Sequence, residues 1–149
     1  MKTLGNPDDA TEIRARILAL TAEDQPRWGV MNATQMVCHV REPYLFALSP
    51  EPYEQIKLPI SPKAAKFMAL RSPLPWPKGL PTLPELKIGA SMATTAFAED
   101  HATLFEAFDR FCATPSLTKE HPFFATMEHA DWMRWGYLHA DHHLRQFGR

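Results

Sequence analysis

An all-α four-helix bundle is the fold this sequence predicts, and three observations predict it. Apolar residues recur at helical spacing over four segments. No run of any length alternates with the period of a strand, and no internal repeat is present. Nine of the fourteen prolines fall between Pro50 and Pro84, so the second helical segment is parted from the third by a long connection.

The first helix is expected from about Asp8 to Leu20, with Ala10, Ile13, Ile17 and Leu20 on one stripe and acidic residues at its start. The second begins at Asn32. Asn32 and Gln35 have the spacing of a capping box, and Ala33, Met36, Val37, Val40, Tyr44 and Leu48 supply an apolar face. Pro43 removes the helical donor that the carbonyl of His39 would use, so a kink or a helix end is expected there. The third helix is expected from about Ser91 to Cys112, lined by Phe97, His101, Leu104, Phe105, Phe108 and Phe111. The fourth should start near Glu128 and reach about Gln146, with Trp132, Trp135, His139 and His143 aligned.

The connection spanning residues 50–90 is rich in proline, and Pro73, Pro75 and Pro77 enforce extended backbone. Ser61-Pro62 is expected to open one short helix through Leu70, with serine at the N-cap and proline behind it. Antiparallel neighbours need only a short loop, whereas parallel neighbours need a chain that returns along the whole bundle. Helices 2 and 3 are therefore expected to be parallel, in an up-down-down-up order. A surface excursion between antiparallel helices is the alternative.

The 149 residues suit one domain with a single core, and a net charge of -1 gives no basic excess to meet a phosphate backbone. Nucleic-acid binding is not expected. The first residues hold no apolar run of a secretory signal, no stretch approaches bilayer length, and Cys38 and Cys112 have no CxxC partner. A cytoplasmic chain with reduced thiols and no membrane span is the expectation.

Chemistry concentrates in the last helix. His139 and His143 are four apart, which puts two imidazoles on one face a turn from each other, and His39 is a candidate third ligand for a divalent metal. From spacing alone the pair also suits a helix C-terminus, and His142 shares a face with His139 at i, i+3. His143 is preferred because it continues the stripe of Trp132 and Trp135. His101 competes for an inward position. His121 and His129 are read as structural, and Cys38 as a small buried hydrophobe rather than a thiolate.

Two stretches carry a resemblance. The first is Trp28-Gly-Val-Met-Asn-Ala-Thr-Gln-Met-Val-Cys-His39. The second is His121-Pro-Phe-Phe124, then Trp132, then His139-Ala-Asp-His-His-Leu-Arg-Gln-Phe-Gly148. Both look like the DinB/YfiT-like superfamily of metal-binding four-helix bundles, in a branch of unknown function. Helix order and the long connection agree, so residues 1–149 resemble one such domain. Ala125-Thr-Met127 departs from the pattern, which often has a glycine there.

The resemblance implies a metal triad of one histidine from helix 2 and an H-x3-H pair from helix 4, which here are His39, His139 and His143. It also implies an activity, in which such a site promotes thiol transfer or hydrolysis. Three imidazoles leave coordination positions open, unlike a closed structural site with four protein ligands. Zn, Ni, Fe and Mn all suit imidazole. A metal-dependent enzyme acting on a small-molecule substrate, with a low-molecular-weight thiol as co-substrate, is the first expectation. A non-catalytic metal-binding stress or interaction protein is the second. Asp141, Glu42, Glu99 and Gln146 are the candidate groups around the ligands. A homodimer is compatible with an exposed apolar helix face.

Overall fold

A computed structural model of the chain describes residues 1–52, 55–72, 75–78 and 96–149. Among these residues the elements in order are α1 (Pro7–Leu18), α2 (Ala33–Leu48), α3 (Pro62–Arg71), α4 (Phe97–Ala113), β1 (Lys119–His121), β2 (Ala125–Met127) and α5 (His129–Gln146). The molecule is mostly helical. Among the described residues four long helices are joined by α3, the short helix expected after Ser61, and one expectation is corrected: a small antiparallel sheet accompanies the helices where no strand was expected. No described helix is long and apolar enough to cross a membrane.

Local chemistry accounts for the helix boundaries. Asn6 caps α1 by accepting from the backbone N–H groups of Asp8 and Asp9. At α2, Asn32 Oδ1 accepts from Gln35 N–H while Gln35 Oε1 accepts from Asn32 N–H, which completes the expected box. Ser61 Oγ caps α3 at 3.2 Å with Pro62 behind it. The helix does not stop at Pro43: α2 runs through it to Leu48 with the ring buried. The third expected helix, from about Ser91, is corrected at its start: Ala96 is extended and is the N-cap of α4, which begins at Phe97, while 91–95 lie outside the described residues.

The hairpin has no signature of alternation because each strand is only three residues long. Lys119 pairs with Met127 and His121 with Ala125, around Pro122, Phe123 and Phe124. Ala125 sits at φ 54°, the left-handed conformation that a three-residue hairpin loop requires and that glycine adopts at least cost. Ala125-Thr-Met127, the stretch that departs from the resemblance pattern, is thus a strand. Extended backbone from the proline-rich connection is pinned here, with Ile56 N–H donating to Pro122 O and Gln55 Nε2 to His121 O.

The core draws on every long helix. Ile13, Ile17, Met36, Tyr44, Leu104, Phe108, Phe111, Trp132 and Leu144 are all essentially inaccessible; each such side chain stabilises by about 1.5–3 kcal/mol relative to exposure. Cross-helix contacts give the directions. Arg41 meets Asp100 and Thr103, and Tyr44 meets Phe108 and Phe111, so α2 and α4 run the same way. His39 lies by His143, Tyr44 by Gly136 and Phe46 by Trp132, so α2 and α5 are opposed. Ile17 lies by His101 and Arg14 by Asp109, so α1 opposes α4.

One crossing positions the site. A Cβ at Gly136 would fall 2.9 Å from Phe111, 3.0 Å from Leu4 and 3.2 Å from Tyr44. Only hydrogen fits there, and Tyr44 Oη donates to the Gly136 carbonyl at 3.0 Å. This close approach brings α2 against α5, and within about two turns along each helix His39 meets His139 and His143.

Candidate metal centre

Each imidazole arrives from a rigid element. His39 comes from the middle of α2, while His139 and His143 come from successive turns of α5. Their ring centroids are 5.2 Å (His39 to His139), 4.6 Å (His39 to His143) and 4.8 Å (His139 to His143) apart. One possible ligand atom from each lies within 4.8 Å of the others, so this group can hold a metal ion. Nitrogens about 2.1 Å from one ion are at most about 4.2 Å apart, so rotations of about an ångström or less bring the set to bonding distance.

All three rings are buried, with 6%, 7% and 8% of His39, His139 and His143 exposed. Burial pushes His139 well below its ordinary pKa, and the neighbouring His143 and His39 push it further. His143 is pushed down to about 3, first by burial and then by His39, against the opposing hydrogen bond from Gln146. Both imidazoles are thus neutral near pH 7, the form that offers a lone pair to a cation. His139 Nδ1 is buried without a hydrogen-bond partner among the described residues. An orphaned buried nitrogen costs free energy, and a metal in this cluster fits the donors that surround it.

Gln146 orients one ligand. Its Nε2 donates to the Trp28 carbonyl at 2.7 Å, which turns Oε1 toward His143 Nδ1 at 3.0 Å. His143 therefore carries its proton on Nδ1 and keeps the Nε2 lone pair. Among the candidate groups around the ligands, only Gln146 takes such a position. Glu42 is bonded to Arg41, Asp141 to Arg16 and Arg145, and Glu99 is exposed.

Aromatic rings wall the cluster. Trp135 stacks flat on His139 at 4.8 Å and 9°, and Trp76 lies 6.4 Å from the same ring. The hairpin braces this wall from behind, because His121 packs on Trp132 and Trp135 at 5.5 and 5.4 Å. Burial holds His121 at about 3, and its Nδ1 accepts from Phe123 N–H. The bracing role of this side chain has no local signature.

The other sequence candidates separate cleanly. His101 does not join the cluster: it stacks on Phe97, and its Nε2 lies 2.8 Å from the Ile17 carbonyl. His142 points to the rim, 6.1 Å from Trp28 and 6.3 Å from Trp76. Cys38 is a buried thiol, pushed up to about 11 by burial and then by Asp100, so it is not a thiolate.

The fold and this cluster define a mostly helical protein with a buried three-histidine group able to hold a metal ion. Residues 78–149 are similar to a family described as "Protein of unknown function (DUF1569)". His139, His143 and Gln146 lie in that stretch and His39 lies outside it. No curated protein and no solved structure gives a significant match.

Proposed function

We propose that the chain is a divalent-metal-binding protein in which His39, His139 and His143 are the ligands of an open centre. On this reading it acts as a metal-dependent enzyme of the thiol S-transferase or hydrolase type on a small-molecule substrate. The observation that carries the reading is the convergence of three buried imidazoles from α2 and α5 with ligand atoms within 4.8 Å. No carboxylate or thiol joins them among the described residues. A divalent ion so held lowers the pKa of a water or thiol in its open position toward neutrality. Gln146 fixes the lone pair of His143, and Trp135 fixes the ring of His139 and excludes water from it.

The helix directions support the same reading of the architecture. With α1 and α5 running one way and α2 and α4 the other, α3 falls within the crossover of an up-down-down-up bundle. That order and the histidine triad are what the DinB/YfiT resemblance implies.

A specific observation favours a second reading. The ligands are at most 8% exposed and lie under Trp135 and Trp76. A centre sealed in this way fits metal binding without catalysis.

Elemental analysis of the purified protein, beside His39→Ala and His139→Ala, tests the proposal. One equivalent of Zn, Ni, Fe or Mn in the native chain, lost in both variants while the far-ultraviolet circular dichroism is kept, is the expected result. A folded native chain that neither carries nor takes up any of these metals sinks it. Thiol conjugation by a metal-free preparation removes the catalytic half alone.

A further inference from the structure

A second group of side chains stands beside the histidines and has no part in holding them. Arg27, Arg145 and Arg149 line a concavity of about 210 Å³ with Trp28 and Gly148. Arg149 bonds to Asp24, and Arg145 reaches Asp141 at 3.5 Å. Asp141 is shared with Arg16 at 2.8 Å, so this carboxylate is already committed. Arg27 makes no side-chain hydrogen bond or ion pair among the described residues.

Arg27 is nevertheless held in place. Its backbone N–H donates to the Gln146 carbonyl at 2.7 Å. Its guanidinium lies on Gly148, where a Cβ would fall 2.6–2.8 Å from Nη2, Nε and Cζ. Gly148 has φ +78°, so glycine here provides both the backbone turn and the flat seat. The carbonyl end of α5 favours cations and accounts for Arg145 and Arg149. It favours Arg27 at the same end as well, but Arg27 comes from the chain before α2, and only its backbone N–H, not its guanidinium, donates to one of those carbonyls.

We infer that this concavity is an oxyanion site, which holds the carboxylate or phosphate end of the metal centre's small-molecule substrate. A guanidinium with its donors uncommitted is suited to such a group by charge and by its planar fork. Trp28 joins the two places: its carbonyl holds Gln146, which holds His143, and its ring lies 6.1 Å from His142 at the rim. A substrate anchored on Arg27 would cross Trp28 to reach the histidines. The substrate role rests on the metal reading, whereas the anion site itself does not.

Titration calorimetry with sulfate, as the tetrahedral probe, and with acetate, as the planar one, tests this on metal-free and zinc-loaded protein at constant ionic strength. Saturable binding of one anion is expected, weakened about tenfold in Arg27→Gln by loss of a charge-assisted pair. Arg14→Gln, on the far side beside Asp109, should leave it unchanged. Arg27→Lys, which keeps the charge and loses the fork, should be intermediate. No saturable binding of either anion, or equal weakening in Arg27→Gln and Arg14→Gln, overturns the site. Binding of a duplex oligonucleotide in preference to both anions overturns the small-molecule assignment. Anion binding without zinc binding sinks the metal reading and leaves the oxyanion site standing; zinc binding without anion binding does the reverse.

Discussion

Replacing Gln146 by leucine tests how the centre is held without touching a ligand. Gln146 is 4% exposed and makes two hydrogen bonds, accepting from His143 Nδ1 at 3.0 Å and donating to the Trp28 carbonyl at 2.7 Å. Leucine keeps the bulk and leaves both partners without a bond. A buried donor or acceptor left so costs about 1–3 kcal/mol, so the metal-free protein should lose roughly 2–4 kcal/mol of stability. His143 would also lose the bond that selects its Nδ1–H tautomer, and loss of such an outer partner weakens a metal about 10–100-fold. Gln146→Glu should behave differently. It keeps an acceptor for His143 but sets a carboxylate oxygen against the Trp28 carbonyl, so metal affinity should be retained while stability falls. Competition against a chromophoric chelator reads the affinity, urea melts read the stability, and nitrogen-15 chemical shifts of His143 read the tautomer. Leucine at 146 with native metal affinity and an unchanged Nδ1–H signal would refute the reasoning.

Two further outcomes are expected. In Gly136→Ala, the new methyl meets Phe111, Leu4 and Tyr44 at 2.9–3.2 Å, and overpacking of this kind costs about 1–3 kcal/mol. Because this crossing sets the separation of α2 from α5, metal affinity should fall with stability; a stable variant binding metal as the native chain does would contradict that. The metal-free protein should also be acid-sensitive. His121, His139 and His143 are all held below the ordinary imidazole range, so the unfolded chain binds more protons than the folded one. Their contribution is complete above about pH 6.5 and is lost as pH falls toward the native value, with a slope approaching about 1.4 kcal/mol per pH unit per histidine. For His121 that native value is about 3. Urea midpoints should drop between about pH 7 and about pH 5. The drop should be shallower in His121→Asn, which keeps an acceptor for Phe123 N–H and titrates nothing; a midpoint rising on acidification would be the opposite of what burial dictates.

Where the chain forms helix was legible because helix signals are local. The Asn32–Gln35 box, the Ser61-Pro62 start and the stripe of α4 from Phe97 to Phe111 each lie within a few residues, and each appears within a turn of its expected place. The proline at 43 misled because a helix is decided by its packing as well as its ladder: Pro43 is buried with Tyr44 and Ala47, and α2 continues. The hairpin was illegible because three-residue strands are too short for a period, and Ala125 occupies a conformation that usually advertises itself with glycine.

The amino-acid order alone gave the helical segments, the caps at Asn32 and Ser61, and the placing of His139 with His142 and His143 on adjoining turns of one helix, since all of these follow from spacing along a single element. Only the tertiary structure decided which other side chains belong with that pair. His39 joins it because Gly136 lets α2 and α5 touch, His101 is turned away to the end of α1, and Gln146 reaches His143 because the Trp28 carbonyl turns its amide. The physical reason is range. Periodicity fixes what shares a helix face, whereas the convergence of nitrogens from distant parts of the chain depends on how closely two backbones can approach.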